Sequence, residues 1–547
     1  MTAEDKQNLF PSDISFNPLL PTASDPDSSS PRPPLPPGML PRDFELFLKH
    51  LKEILGPDYV FRTDDQVAEY SRPFLHSPDG ECWASAAAAP ADLEQLRKVV
   101  ALCQERRVPV WPISHGRNFG YGSARPATSG QIILDLQRMN RILEINTQLG
   151  YIVCEPGVMY RDIKQHLSNQ DAPFWISLPD LGPLTGPVGN ALEHGVGYTP
   201  YGDHFLSTCG MEVLLSDGTL FRTGTGSVSE SQTAHVYKWS LGPYLDGLFT
   251  QSNFGIVTKL GIWLMPEPEQ TLPFAALLWQ DDAIAEYIDA TRELLMKNLI
   301  QSTVTLGQFR CNLNQLGPRR HLWKEAGPVS DERAERIREH IGAPVWTSFG
   351  ALYGNSNVVS EQWKLVKERL NAIPNLELVT ADNLDSYPYL GTLFEHRSSS
   401  MRGDGYSELL EETVGWRENG GIVWFSPVLP TVGNQIQKEH ELAKRIILDH
   451  DLDPMTGYIV RERYVHHLIS LVFDRTSSDE RTRVQRCYKA LLDAHIQLGY
   501  PVYRAPVTMM DMVAETYDPH LRKIWSRIKN ALDPSGIIAP GKSGIDA

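Results

Sequence analysis

The chain runs to 547 residues with a formal net charge of -16, which makes a nucleic-acid backbone or an anionic membrane a poor partner, because either needs a basic face to displace counterions. Hydrophobic residues make up 41% and charged residues 22%. That balance is ordinary for globular proteins, and the length exceeds what one core usually supports, so at least two domains are expected.

Residues 1–41 are expected to be a first unit, an extended or partly disordered arm, since from Asn8 onward they carry Ser28-Ser29-Ser30 and Pro33-Pro34-Leu35-Pro36-Pro37, a composition that favours extended chain over packed structure. Folding proper starts at Phe44. Phe44, Phe47, Leu48, Leu51, Ile54 and Leu55 recur at helical spacing before Gly56-Pro57 stops them. A second helix is expected over 93–106, leading into a short apolar strand at 108–112, a glycine-rich loop and a strand at 132–136. Further on, 150–157 reads as a strand, 158–167 as a helix, and 211–222 as two strands around Ser216-Asp217-Gly218.

After Pro266-Glu267-Pro268 the pattern changes to longer units, with helices expected at 281–296, 330–339, 359–371, 434–449 and 477–497 and strands between them such as 467–473. A final helix ends near Leu532. It is followed by Asp533-Pro534-Ser535-Gly536-Ile537-Ile538-Ala539-Pro540-Gly541-Lys542, whose Gly and Pro favour a fixed irregular path. Six cysteines, Cys82, Cys103, Cys154, Cys209, Cys311 and Cys487, show no C-x-x-C pair. Each is read as a small buried residue. No apolar run has the length of a signal peptide or a membrane span, and the C-terminal residues are not a Ser-Lys-Leu address, so a cytoplasmic location is expected.

Three clusters carry chemistry. In Trp111-Pro112-Ile113-Ser114-His115-Gly116-Arg117-Asn118-Phe119-Gly120-Tyr121-Gly122, closely spaced glycines let backbone amides approach an anion, as a pyrophosphate requires, although a turn-rich surface loop has the same spacing. Neither a Gly-Lys-Ser/Thr ending nor a G-x-G-x-x-G feeding a helix is present, so a nicotinamide-binding fold gains no support. The run from Leu178 to Gly202 holds Pro179-Asp180-Leu181-Gly182, Gly186, Gly189-Asn190 and Gly195-Val196-Gly197-Tyr198, a density of backbone freedom suited to a segment that hugs a ligand. Tyr503-Arg504 pairs a hydroxyl donor with a fixed positive charge, which suits a phenolate or a carboxylate. His466-His467 sits on an expected strand, where neighbours face opposite ways; a packed histidine beside a surface one is the reading, and no metal site is indicated.

Taken together, Arg117-Asn118-Phe119-Gly120-Tyr121-Gly122, Val153-Cys154-Glu155-Pro156-Gly157, the run from Gly195 to His204, Gln251-Ser252-Asn253-Phe254-Gly255-Ile256-Val257-Thr258 and Ile538-Ala539-Pro540-Gly541-Lys542-Ser543-Gly544 resemble the vanillyl-alcohol oxidase, p-cresol methylhydroxylase and eugenol oxidase family over roughly residues 84 to 544. The resemblance implies an α+β fold: a two-part FAD-binding domain, here 42–268 plus 501–547, with an inserted α+β substrate (cap) domain at 269–500. It implies FAD held by Ser114, His115, Gly116, Arg117, Asn118, Gly120, Pro179, Gly182, Gly189, Asn190, Gly195, Tyr198, Gly255, Ile256, Val257, Arg504 and Lys542. Carried over by motif, Tyr121, Tyr503 and Arg504 would bind a phenolic oxygen as phenolate, so that electron density pushed through the ring makes the benzylic C–H a hydride donor toward flavin N5 and leaves a p-quinone methide. Asp180 would lie near the reacting carbon as general base. His76, Trp424, Gly457 and His466 would line the substrate pocket.

One stretch departs from the family. Relatives tether the flavin through a His or Tyr just before a Phe-Ser-Pro or Phe-Ala-Pro element, whereas here Gly415-Trp416-Arg417-Glu418-Asn419-Gly420-Gly421-Ile422-Val423-Trp424-Phe425-Ser426-Pro427 contains neither. Non-covalent FAD is therefore expected. The leading expectation is an oxidase of 4-hydroxybenzyl alcohols, 4-alkylphenols or 4-allylphenols using dioxygen; a same-fold dehydrogenase passing electrons to a cytochrome or quinone and a non-catalytic flavoprotein scaffold are the alternatives. The segment 224–241 looks shorter than the matching loop of the octameric fungal oxidase, which favours a homodimer.

Overall fold

A computed structural model describes residues 33–62, 66–67, 70, 84–405 and 413–546; His76 and Cys82, both singled out above, lie outside them. The amphipathic run at Phe44 becomes the helix Pro41–Leu55, which buries Phe44, Phe47, Leu48, Leu51 and Leu55 and stops at Gly56. Expected and observed helices coincide at Leu93–Arg106, where Asp92 caps the first turn by accepting from the Gln95 amide and Arg107 closes the end in a left-handed conformation.

Around these helices lies a four-stranded sheet of β1 (Val60–Phe61), β2 (Ala86–Ala88), β3 (Val110–Ile113) and β4 (Ile132–Asp135), in the order β1-β2-β4-β3. The last three strands are parallel and completely or almost completely buried. A second, antiparallel sheet contains β5 (Ile142–Asn146), β6 (Tyr151–Cys154), β8 (Thr208–Leu214), β9 (Leu220–Arg222) and β10 (Ile256–Trp263) in the order β5-β6-β10-β8-β9. The short β7 (Phe174–Trp175) pairs separately with β11 (Met265–Pro266).

Beyond residue 268 the strands are longer than the sequence pattern suggested. β12 (Gln270–Leu278), β13 (Val304–Gln308), β14 (Trp346–Gly354), β15 (Leu376–Val379), β16 (Gly420–Phe425), β17 (Val428–Pro430), β18 (Met455–Val460) and β19 (Tyr464–Asp474) form one eight-stranded antiparallel sheet. The five expected helices appear as Ala283–Met296, Asp331–Ile341, Ser356–Leu370, Gly433–Asp449 and Ser478–Gln497. An additional helix, Gly391–Met401, was not foreseen, because Arg397 and the serines that follow interrupt its apolar face.

The two histidines of β19 correct one expectation: both are buried, His466 at 7% and His467 at 0% exposure. Their strand lies between β18 and β16, and side chains from other elements cover the two histidines: Tyr503 stacks on His466, while Glu439 covers His467. His467 and His495 both contact Glu439 Oε1 at 2.7 Å, and all three side chains are fully shielded from solvent. His467 is backed by Tyr458, stacked at 4.2 Å. Burial alone would raise the Glu439 carboxyl, yet His467 and His495 outweigh it and hold the pKa down at about 2.

The tail follows the irregular path its composition implied. Ile538 bridges in parallel to Val110 on β3, and Asn253 Nδ2 donates to the carbonyls of Ala539 (3.2 Å) and Ile545 (2.9 Å). Lys529, 1% exposed, spends its three protons on Asp533 Oδ2 (2.6 Å), the Asn253 carbonyl (2.7 Å) and the Ile538 carbonyl (2.7 Å). The five cysteines other than Cys82 are free and buried.

Candidate active site

The loop after β3 leaves the carboxyl end of a parallel strand, the usual place for a ligand in such sheets. It opens into a cleft enclosing about 1220 Å³ of non-protein space, part of it open to solvent. Its walls include the 111–118 loop, the helix Pro187–Leu192 with Glu193 behind it, the start of β10 at Gly255, Ile256 and Val257, Arg504 and Val507, and the tail at Ala539 and Lys542. Of the residues assigned to cofactor binding from sequence, Ser114, His115, Gly116, Arg117, Asn118, Gly189, Asn190, Gly255, Ile256, Val257, Arg504 and Lys542 line it.

Gly120, Pro179, Gly182, Gly195 and Tyr198 are not part of that lining. A side chain at Gly120, whose φ is +75°, would overlap the Trp424 indole, and one at Gly195 would overlap the Asn190 amide. The Gly182 amide donates to the Pro179 carbonyl at 3.1 Å, a turn that carries Leu181 into the cleft wall. Tyr198 donates its hydroxyl to Asp180 Oδ2 at 2.6 Å.

Whether FAD fits can be judged from the donor set and the packing. The amides of His115, Gly116 and Asn118 donate to no protein acceptor among the described residues, and the buried Ser123 hydroxyl on the same wall has no hydrogen-bond partner among them. At Gly186 a Cβ would come within 2.9 Å of the His115 ring and closer still to Ser114, so only glycine lets this helix start approach the loop. Trp111, Ile113, Leu181, Val188, Ile256 and Val257 add apolar surface, while Arg117, Arg504 and Lys542 add positive charge. Free amides, cations and flat apolar walls suit a long, partly aromatic, pyrophosphate-bearing molecule.

Glu193 was not singled out by sequence reasoning, yet it pairs with Lys542 and lies 3.9 Å from Arg504 Nε. Burial pushes its carboxyl up, but Lys542 and Arg504 outweigh that and hold it below the usual carboxylate range. Besides pairing with Glu193, Arg504 donates to Asn118 Oδ1 and covers the Tyr121 ring at 4.1 Å. The Tyr121 hydroxyl is hydrogen-bonded to Ser426 Oγ at 2.9 Å and interacts with the Tyr503 hydroxyl. Burial, reinforced by Tyr503, raises the Tyr121 hydroxyl well above its usual value against the opposing pull of Arg504 and Ser426, so Tyr121 remains a neutral donor.

Backbone contacts explain how residues so far apart in sequence meet here. The Tyr503 amide donates to the Ser426 carbonyl at 3.2 Å and the Val507 amide to the Tyr121 carbonyl at 2.8 Å, and Gln251 Nε2 donates to the Tyr503 carbonyl at 3.0 Å. His466 lies flat on Tyr503, with ring centroids 4.0 Å apart and planes 2° from parallel. Burial, then Arg461 and His194, lower its pKa to about 3, so it is neutral at ordinary pH. Gly457 opens onto space: a Cβ placed there would meet nothing closer than the Leu306 carbonyl oxygen at 3.7 Å.

Asp180 accepts from Arg397 Nη1 at 2.9 Å as well as from Tyr198. Arg397 is a second residue that the sequence did not reveal, since it sits on the unforeseen helix Gly391–Met401. Burial works against its charge, but Asp180 and Tyr198 more than offset this and raise its pKa.

Cleft and fold together define an FAD-binding oxidoreductase, and the comparisons agree. A family model described as an FAD binding domain matches residues 84–224. The 4-cresol dehydrogenase [hydroxylating] flavoprotein subunit of Pseudomonas putida is 38% identical over 515 residues, covering 94% of this chain and 98% of that protein. A p-cresol methylhydroxylase structure with substrate bound superimposes with a TM-score of 0.90 at 37% identity, and the 4-ethylphenol oxidase from Gulosibacter chungangensis in its isoeugenol complex does so with 0.90 at 32%; each covers 94% of this chain and 99% of the other. The chain belongs to the vanillyl-alcohol oxidase and p-cresol methylhydroxylase family of flavoproteins, and FAD is its cofactor.

Proposed function

We propose that this enzyme oxidises para-substituted phenols, namely 4-hydroxybenzyl alcohols, 4-alkylphenols or 4-allylphenols, by loss of a hydride from the benzylic carbon through a p-quinone methide. The observation that carries this reading is that Tyr121 gathers both partners: Arg504 lies over its ring, 4.1 Å from the centre, and its hydroxyl interacts with that of Tyr503. A phenolate oxygen placed there receives two hydroxyl donors and a full positive charge, which lowers the substrate's pKa and pushes electron density toward the para carbon. The named activities of the relatives, on cresol and on 4-ethylphenol, support the same substrate class. FAD supplies the hydride acceptor.

Asp180, fixed between Tyr198 and Arg397, is read as the carboxylate that offsets positive character at the benzylic carbon or accepts a proton from added water. Trp424, Gly457 and His466 are read as substrate-pocket residues. Residues 42–268 and 501–547 are read as the two parts of the flavin domain and 269–500 as the cap, which the tail's bridge to β3 and its place in the cleft support. Dioxygen is the proposed acceptor. The relative named as a dehydrogenase supports a cytochrome or quinone acceptor as the second reading, and turnover with dioxygen alone separates the two.

The phenol reading is tested by anaerobic mixing with free 4-alkylphenols and with their para-methoxy analogues, while bleaching of the flavin band is followed. Free phenols are expected to reduce the flavin at least about 100-fold faster, a difference of roughly 2.7 kcal/mol in barrier; equal rates would sink the mechanism.

We further read the FAD as non-covalent, because β16 and the residues just before it in the described chain offer no His or Tyr. Acid precipitation should release intact FAD into the supernatant, and a yellow pellet would overturn this. A homodimer is the proposed assembly; Val236, Tyr237, Trp239 and Leu241 are exposed in the short 224–241 segment and give an apolar surface for association. No described helix is long and apolar enough to cross a membrane.

A further inference from the structure

Asn190 is the one side-chain amide on the helix Pro187–Leu192, and it lines the FAD cleft. Its Oδ1 lies 2.5 Å from His204 Nδ1 and 3.4 Å from the Tyr160 hydroxyl, which donates to it. Gly195, whose amide donates to the Asn190 carbonyl at 2.8 Å, packs so closely against this amide that any side chain there would overlap it. The Asn190 Nδ2 group, by contrast, is the donor of none of the hydrogen bonds that Asn190 makes to Tyr160 and His204, and Asn190 is part of the cleft wall.

His204 is 5% exposed. Its Nε2 finds no partner among the described residues, so a proton on Nδ1 is the arrangement that gives the ring a bond to an acceptor. Burial, then Arg461, lower its pKa to about 3, which keeps a single neutral form over the working range. We infer that His204, with Tyr160, is a positioning residue that locks the Asn190 amide so that its NH2 group faces the cleft and donates to an oxygen of the bound FAD. The electrostatics of the cleft select this orientation. Its free amides and cations suit an anionic, oxygen-rich ligand, and a carbonyl oxygen turned inward would repel it.

In this arrangement His204 acts on FAD only through Asn190. The full-length holoenzyme is diluted and the fluorescence of released FAD followed to equilibrium over a range of concentrations, with thermal stability recorded for each variant. Asn190→Ala should weaken FAD binding about tenfold, the order expected for one hydrogen bond to a charged or strongly polar acceptor. Asn190→Asp, which turns an oxygen toward the cleft, should weaken it further. His204→Phe should cost several-fold in Kd, His204→Gln should restore most of it through its own amide donor, and the Asn190→Ala/His204→Phe pair should bind no worse than Asn190→Ala to within about twofold. A purely structural histidine would give additive losses and no rescue, and either result would overturn the inference, as would an unchanged Kd in Asn190→Asp. A crystal structure of the holoenzyme gives a second readout that holds even if the flavin is tethered: Asn190 Nδ2 within hydrogen-bond distance of an FAD oxygen is expected, and Oδ1 in that position, or no polar contact, refutes it.

Discussion

Arg504→Ala should slow phenol-driven flavin reduction by about 30- to 1000-fold on FAD-saturated enzyme, corresponding to roughly 2–4 kcal/mol of lost oxyanion stabilisation. The reason lies in where the guanidinium sits. It covers the Tyr121 ring at 4.1 Å and is tied to Asn118 and Glu193, so it supplies the only fixed positive charge against the Tyr121–Tyr503 pair among the contacts described above. Without it a bound phenol keeps its proton at neutral pH. The loss should therefore shrink as pH rises toward the pKa of the free phenol, where the substrate arrives already ionised.

Arg504→Lys should recover part of the rate, because it returns the charge without the planar fork. Stopped-flow reduction across pH with each variant is the measurement. Phenol reduction unchanged in Arg504→Ala would reject the role of the guanidinium. FAD content must be recorded alongside, since Arg504 also lines the cofactor cleft.

The largest stability effect is expected at Lys529. Lys529→Met should cost roughly 3–5 kcal/mol, the usual range for removing one member of a buried pair and stranding the other. Asp533, at 0% exposure, would keep its contacts with the amides of Ile537 (3.2 Å) and Ile538 (2.8 Å) but lose its counter-charge, and the carbonyls of Asn253 and Ile538 would lose their donor. These carbonyls join the helix Pro519–Leu532 to the tail and to the stretch that begins β10, so FAD affinity should fall together with stability. Urea unfolding gives the first quantity and fluorescence of released FAD the second. Lys529→Met/Asp533→Asn should recover part of the loss, because it removes the stranded charge; a double variant no better than the single would show that packing, not charge, sets the effect.

Local chemistry made much of this legible in the sequence. The apolar spacing of Phe44 to Leu55 and the helical pattern over 93–106 act within a few residues, and the observed helices Pro41–Leu55 and Leu93–Arg106 follow them closely. The glycine runs likewise marked the loops that line or back the FAD cleft, because the need for close backbone approach is written in the residue type itself. Tyr121, Tyr503 and Arg504 could be proposed as partners through family resemblance; no local pattern joins residues 382 positions apart in the chain, and only the threading of Tyr503 past Ser426 and of Val507 past Tyr121 brings them together.

What the tertiary structure alone decided are the partners whose function depends on who stands opposite. Glu193 and Arg397 are unremarkable charges in sequence, and their meaning comes from Lys542, Arg504 and Asp180, which reach them from other elements. His467 was read as one of two unlike neighbours on a strand, and its burial followed from the helices Gly433–Asp449 and Ser478–Gln497, which bring Glu439 and His495 into one cluster with it. Strand order is set by pairing between distant segments, whose closure entropy and packing no window of sequence reports. For the same reason the His204–Asn190 contact, and with it the direction of the amide that faces the cofactor, became readable only once the chain had folded.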